Sequence, residues 1–221
     1  MQRNTLEKKG IMARRFAIIA GSVVGAGLLA QLALVVMGPS SSDPFAPCRV
    51  GAVSTGGAAL GSEDFTLVDG TGAAVTRDAL YQQPSLIYFG YTFCPDVCPF
   101  DTVRNADAVD ILKERGFDLR PVFITIDPER DTPEVVADFS ANVHDDMLGL
   151  SGSQEQVAAA IQSFRTYAKK QKSDDEYYLV DHSTFSYLTL PDVGFVEFFR
   201  RELSAEQMAD QLQCFLEAAP K

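Results

Sequence analysis

Cys94 and Cys98 stand in the run Tyr91-Thr92-Phe93-Cys94-Pro95-Asp96-Val97-Cys98-Pro99, with three residues between them. A near-continuous apolar run, Ser85 to Tyr91, precedes them, as expected of a strand buried on both faces. A helical pattern follows, from Pro99 to Gly116. The pair thus falls at the carboxyl end of a strand, where α/β sheets place their sites. There, helix-terminal N–H groups favour the thiolate form of a cysteine. Redox enzymes of the thioredoxin type separate their cysteines by two residues. Three intervening residues still allow a disulfide, and also let both sulfurs face one soft metal ion. Two thiolates alone suit Cu(I), and a third ligand widens the choice to Cu(II). His182, on a loop between two short strands, is the candidate for that ligand; the chain has only two histidines. Two Cys and one His also make a zinc set, although structural zinc takes a fourth protein ligand and none is evident.

The remaining members of these residue types carry less chemistry. Cys48 lies in a Gly-, Pro- and Ser-rich stretch and Cys214 in the last helix. In an oxidising compartment two spare thiols are expected to pair, so a Cys48–Cys214 disulfide is predicted. His144, after a helix, reads as a surface residue.

The elements that must position Cys94, Cys98 and His182 follow from periodicity. The first 38 residues are a separate object. Phe16 to Met37 runs 22 residues without a charge, about 33 Å as a helix and enough to cross a bilayer. Arg3, Lys8, Lys9, Arg14 and Arg15 precede it against Glu7 alone, which predicts a cytoplasmic N-terminus and an exported remainder. No Arg- and Ser-rich presequence precedes it, so the expectation is a bacterial inner-membrane protein with its C-terminal domain in the periplasm. The organisation read here is a cytoplasmic N-terminus over 1–15, an anchor over 16–37, a tether over 38–60 and one domain over 61–219. The chain's net charge of −11 is a mixture: residues 39–221 hold 14 basic and 29 acidic residues, a net −15. Such a domain repels phosphate backbones, so nucleic acid is excluded as a partner.

Within the domain, Phe65 to Val68 and Ala74 to Thr76 predict a hairpin around Asp69-Gly70. Pro121 to Asp127 reads as a second buried strand, and Thr132-Pro133-Glu134 opens a short helix. Met147 to Leu150 is a short strand. The run from Ser153 to Lys172 reads as one helix. Tyr177 to Val180, Thr184 to Leu190 and Phe195 to Phe199 are strands. A helix from Ser204 to Leu216 closes the chain, with Ser204 and Gln207 set as a capping box. This alternation predicts an α/β fold with a central sheet flanked by helices, thioredoxin-like with an extra N-terminal hairpin.

Three stretches together resemble the Sco/SenC family of copper proteins: Phe89 to Pro99, Phe123 to Glu134 (FITIDPERDTPE), and Tyr178 to Ser183 (YLVDHS). The resemblance spans residues 60–216 and includes the anchor and tether. It implies a thioredoxin fold and one copper, Cu(I) or Cu(II), held by Cys94, Cys98 and His182. It further implies that Asp181 orients or tunes those ligands and that the Asp127–Glu134 segment loops near the site. The implied role is a metallochaperone that assembles the binuclear copper centre of cytochrome c oxidase. Its partners would be the oxidase's copper-bearing subunit and an upstream copper donor. The same two sulfurs leave two alternatives: a thiol–disulfide reductase that keeps the partner's cysteines reduced, with Cys94 and Cys98 as catalytic thiols, or a copper or redox sensor. The Thr189 to Gly194 turn is longer than the family pattern.

Overall fold

The strands that flank the cysteine pair are buried because both of their faces are covered. All six residues of Ser85–Gly90 are inaccessible, as are the last five of Arg120–Thr125. The computed structural model describes residues 43–49, 60–172 and 177–220. The expected anchor, 16–37, and most of the tether lie outside these residues. Among the described residues, no helix is long and apolar enough to cross a membrane.

In chain order the elements are β1 (Thr66–Asp69), β2 (Ala74–Thr76), α1 (Arg77–Leu80), β3 (Ser85–Gly90), α2 (Val97–Glu114), β4 (Arg120–Thr125), α3 (Pro133–Val143), β5 (Leu148–Ser151), α4 (Gln154–Ser163), β6 (Ala168–Lys170), β7 (Val180–His182), β8 (Ser186–Leu190), β9 (Gly194–Phe199) and α5 (Ala205–Ala218). Seven strands form one mixed sheet in the order β2-β1-β5-β4-β3-β8-β9, and β6 and β7 form a separate two-stranded sheet. Strands β3, β4 and β5 run parallel, linked through α2 and α3; β1, β2, β8 and β9 are antiparallel to their neighbours. The N-terminal hairpin is present and extends the sheet at β5. Its turn is held by the Asp69 carboxylate, which accepts from the amides of Thr71 (2.8 Å) and Ala73 (3.0 Å).

Strand β3 divides the core because alternate side chains leave opposite faces. Leu86 joins a cluster with Val109 and Leu112 of α2 and Leu212 and Phe215 of α5. Ile87 and Phe89 join a second cluster with Val136 of α3, Val157 of α4 and Phe164. Residues 44–49, read from sequence as part of the tether, pack on the first cluster: Phe45 is buried with its ring 6.0 Å from that of Phe215.

Several expected boundaries move, and two of them matter for the site. The helix read from Ser153 to Lys172 ends at Ser163, because Arg165 adopts a left-handed backbone (φ 48°) that no helix continues through. The residues beyond it become β6, which pairs with β7. His182 therefore ends a strand, opposite Ala168, rather than lying in a loop. The helix expected from Pro99 begins at Val97, so Cys98 sits within its first turn. Pro99 fits there because first-turn amides have no intrahelical acceptor. The helix α1 was not read from the sequence; Thr76 caps it through its hydroxyl, which accepts from Ala79 N–H at 3.1 Å.

Candidate metal centre

Two separate segments deliver three ligand atoms to one point. Cys94 lies in the turn after β3, fixed by its amide's bond to the Tyr91 carbonyl at 3.2 Å. Cys98 opens α2, and its amide donates to the Cys94 sulfur at 3.4 Å. This is the helix-terminal N–H that the sequence position promised. His182 arrives from the β6–β7 hairpin with Nε2 3.2 Å from the Cys98 sulfur, across 84 residues of chain. The two sulfurs and one ring nitrogen all lie within 4.8 Å of one another. Metal bonds of 2.0–2.3 Å put ligand atoms about 3.8 Å apart in a trigonal set, so little rearrangement would close them on an ion.

The histidine's tautomer is set by its other nitrogen. Nδ1 lies 2.8 Å from the Ser183 carbonyl, which can only accept, so Nδ1 carries the proton and Nε2 presents its lone pair to Cys98. Burial pushes the His182 pKa down and keeps the ring neutral, only partly opposed by the Ser183 bond. Tyr88 and Tyr91 meet the ring edge-on at 6.3 and 5.9 Å. Both cysteines are buried, Cys98 completely. For Cys98, burial outweighs the backbone bond from Tyr91: its thiol is pushed up, contrary to the expectation that the site favours thiolate, because a charge taken out of water lacks solvation. In this state a protonated Cys98 faces an accepting Nε2. The donor set of two sulfurs and one neutral imidazole, gathered and largely dry, fits a soft ion.

Asp181, expected to tune the ligands, is exposed and accepts from Gln171 Nε2 at 2.6 Å. Successive residues of β7 point to opposite sides, so a carboxylate next to His182 in sequence faces away from it. The Ser183 carbonyl takes the orienting role, which no side-chain pattern could announce, while the Asp181 charge acts on the ring only through space. The Asp127–Asp131 loop does reach the site: the Arg130 guanidinium lies 5.6 Å from the Tyr91 ring and 5.0 Å from the Phe93 ring. Its last member, Asp131, is buried and accepts from the Thr92 amide (2.9 Å) and hydroxyl (2.6 Å). It therefore fixes the backbone two residues before Cys94.

The other cysteines and the other histidine lie elsewhere. Cys48 and Cys214 form a disulfide with Cα atoms 5.6 Å apart. His144 is not a free surface residue. Its side chain is only 10% exposed, its Nδ1 accepts from the Asp146 amide, and its Nε2 donates to Asp110 at 3.1 Å. It braces the end of α3 against α2 and takes no part in the centre.

A family model described as SCO1/SenC matches residues 53–217. The chain is 46% identical over 202 residues to protein SenC of Rhodobacter capsulatus, covering 91% of this chain and 89% of that one. Arabidopsis thaliana ScoI, solved with copper bound, superposes with a TM-score of 0.65 at 36% identity, over 70% of this chain and 97% of that one. BsSco, described as having a disulfide switch and as a member of the Sco family of cytochrome c oxidase assembly proteins, superposes with a TM-score of 0.57 at 27% identity, over 71% of this chain and 91% of that one. The architecture is thus the thioredoxin-like α/β fold of the Sco structures. With a family model that covers most of its length and a curated relative at this identity, the chain belongs to the SCO1/SenC family.

Proposed function

We propose that the protein is a membrane-anchored metallochaperone that carries copper on Cys94, Cys98 and His182 to the copper-bearing subunit of cytochrome c oxidase. The observation that carries this reading is the convergence of two buried sulfurs and an oriented, neutral imidazole within 4.8 Å. A copper-bound relative with this fold and an oxidase-assembly relative support it. Copper is cargo here. On loading, Cys94 and Cys98 both bind as thiolates, their thiol protons passing to solvent, and His182 binds through the lone pair it already presents. On unloading, the partner's ligands replace these three one at a time, so the ion is never released to water. The neutral imidazole, the one ligand without a charge, is the natural first to leave.

The reading places an uncleaved anchor over 16–37, a cytoplasmic 1–15, a tether over 38–60, and a periplasmic domain over 61–219 in a bacterial inner membrane. An upstream donor supplies the copper. Titration of the protein with Cu(I) and with Cu(II) tests the reading. One ion per chain with a Cu(II)–thiolate absorption band is expected, and a protein that retains no copper sinks it.

A second reading has its own observation. The two free sulfurs lie within 4.8 Å of one another, a dithiol that could form a disulfide. In this reading the pair keeps a partner's cysteines reduced. His182→Ala separates the two: copper retention falls, while exchange with a disulfide substrate continues. A copper or redox sensor would use the same atoms and differ only in its partner.

A further inference from the structure

The hairpin that brings His182 belongs to a two-stranded sheet of its own, outside the main sheet. Something other than sheet hydrogen bonds must therefore hold the third ligand against the sulfurs. One contact is modest: the Val180 amide reaches the Tyr91 hydroxyl at 3.3 Å. The larger construction lies around Tyr178, four residues before His182. The Arg130 guanidinium sits 3.6 Å from the centre of the Tyr178 ring, and the Lys170 ammonium sits 3.7 Å from it. Two cations that close occupy opposite faces, since on one face they would overlap. The ring is sandwiched. Its hydroxyl donates to Asp127 at 2.7 Å and reaches Glu129 at 3.3 Å. Those carboxylates in turn pair with the two cations, Arg130 to Asp127 at 2.5 Å and Lys170 to Glu129 at 2.6 Å.

Arg130 reaches the other ligand segment as well, because its guanidinium also lies against Phe93, the neighbour of Cys94. One cation therefore touches the segment that carries the cysteines and the segment that carries the histidine. Its buried Nη2 has no hydrogen-bond acceptor. A buried guanidinium nitrogen is rarely left so. Here aromatic faces stand where an acceptor would be, and cation–π attraction strengthens as water is excluded.

We propose that Arg130 and Tyr178 are positioning residues that clasp the His182 hairpin to the Cys94–Cys98 segment and set how readily the imidazole leaves the metal. The inference deepens the copper-carrier reading and rests on it. Arg130 and Tyr178 touch no ligand atom. They act by fixing where Nε2 stands when the sulfurs close on the ion. A loosened clasp leaves the two-sulfur pair intact and frees the third ligand, which speeds loss of copper and changes the character of the bound Cu(II).

The test compares Tyr178→Leu, Tyr178→Phe and Arg130→Met in the full-length chain. Copper is loaded as Cu(II), and two quantities are read: its transfer rate to a chelator, and the Cu(II)–thiolate absorption with the nitrogen hyperfine pattern in electron paramagnetic resonance. Removing groups that orient metal ligands typically costs 10–100-fold in affinity, so transfer from Tyr178→Leu and Arg130→Met should quicken by about that factor. The nitrogen coupling should weaken in both. Tyr178→Phe keeps the sandwiched ring and should restore most of the retention. Should Arg130→Met fail to fold, because Asp127 loses its cation, Tyr178→Leu carries the test from the less buried side. A wild-type protein that holds copper beside variants with unchanged transfer and unchanged spectra overturns the clasp alone. A wild-type protein that holds no copper overturns both the clasp and the reading beneath it.

Discussion

The protein contains two cysteine pairs with opposite fates. Cys48 and Cys214, 166 residues apart in sequence, are joined in a disulfide. Their surroundings are apolar: Phe45 packs on Phe215, which meets Phe199 edge-on at 6.1 Å. Cys94 and Cys98 are free, and a ring nitrogen stands 3.2 Å from one of them. Burial alone does not separate the two regions, since Cys48 is as buried as Cys94 and Cys214 is half-buried beside it. The difference is what else converges. At the staple the cysteines join a cluster of apolar side chains, and the bond holds residues 44–49 to the helix α5. At the centre a third donor arrives with its lone pair aimed, supported by a carbonyl, two tyrosine edges and the Arg130–Tyr178 clasp. The same side chain is a fastener in one place and a ligand in the other because of its neighbours.

Substitutions can break this contrast or sharpen it. The largest effect is expected from the ligands. His182→Ala or Cys98→Ser should lower copper affinity by more than about 100-fold, beyond the cost of losing a mere supporting group. Competition against a copper chelator measures this. The metal-free protein should melt within a few degrees of wild type.

Removing the staple should do the reverse. Cys48→Ser with Cys214→Ser should cost about 2–5 kcal/mol of stability, because the bond restrains a long loop in the unfolded chain. At about 2–4 °C per kcal/mol, calorimetry should show a melting point lower by about 4–20 °C. Copper affinity should stay within twofold of wild type. A comparable loss of copper would mean that the two regions are one cooperative site, and the contrast would fail.

A smaller change should come from pH. Burial raises the Cys98 thiol and lowers His182, so near neutrality the metal-free centre holds a protonated sulfur and a neutral ring. Loading must displace that thiol proton, so affinity should fall as pH falls, by up to about tenfold per unit for each proton released. A buffered titration between pH 8 and 6 checks the slope. The disulfide carries no titrating proton and should leave no trace in it.

The smallest effect belongs to the helix that holds Cys214. Ser204 accepts from the Gln207 amide at 3.2 Å, and Gln207 returns a bond to the Ser204 amide at 3.0 Å. Ser204→Ala should cost about 1 kcal/mol, read as a shift of about 2–4 °C, with copper binding untouched.

Much of this was legible beforehand where a local rule governs. The runs Ser85 to Tyr91 and Pro121 to Asp127 announced doubly buried strands through unbroken apolarity, and Ser204 with Gln207 announced a helix start. Arg165 shows where local rules stop: the helical pattern continues past it, but the chain turns there because β6 must meet β7. Asp181 shows the same limit from the other side. It adjoins a candidate ligand in sequence and points away from it in space.

The sequence by itself determined the residue types, the spacing of Cys94 and Cys98 at a strand's end, the presence of His182, and the family. Spacing over a few residues is set by local backbone geometry and can be read directly. Only the tertiary structure decided that Nε2 rather than Nδ1 faces the sulfurs, that Cys98 is held as a thiol, and that Arg130 bridges both ligand segments. Each of these depends on desolvation and on contacts between residues tens of positions apart. No local pattern records such contacts, because packing alone creates them.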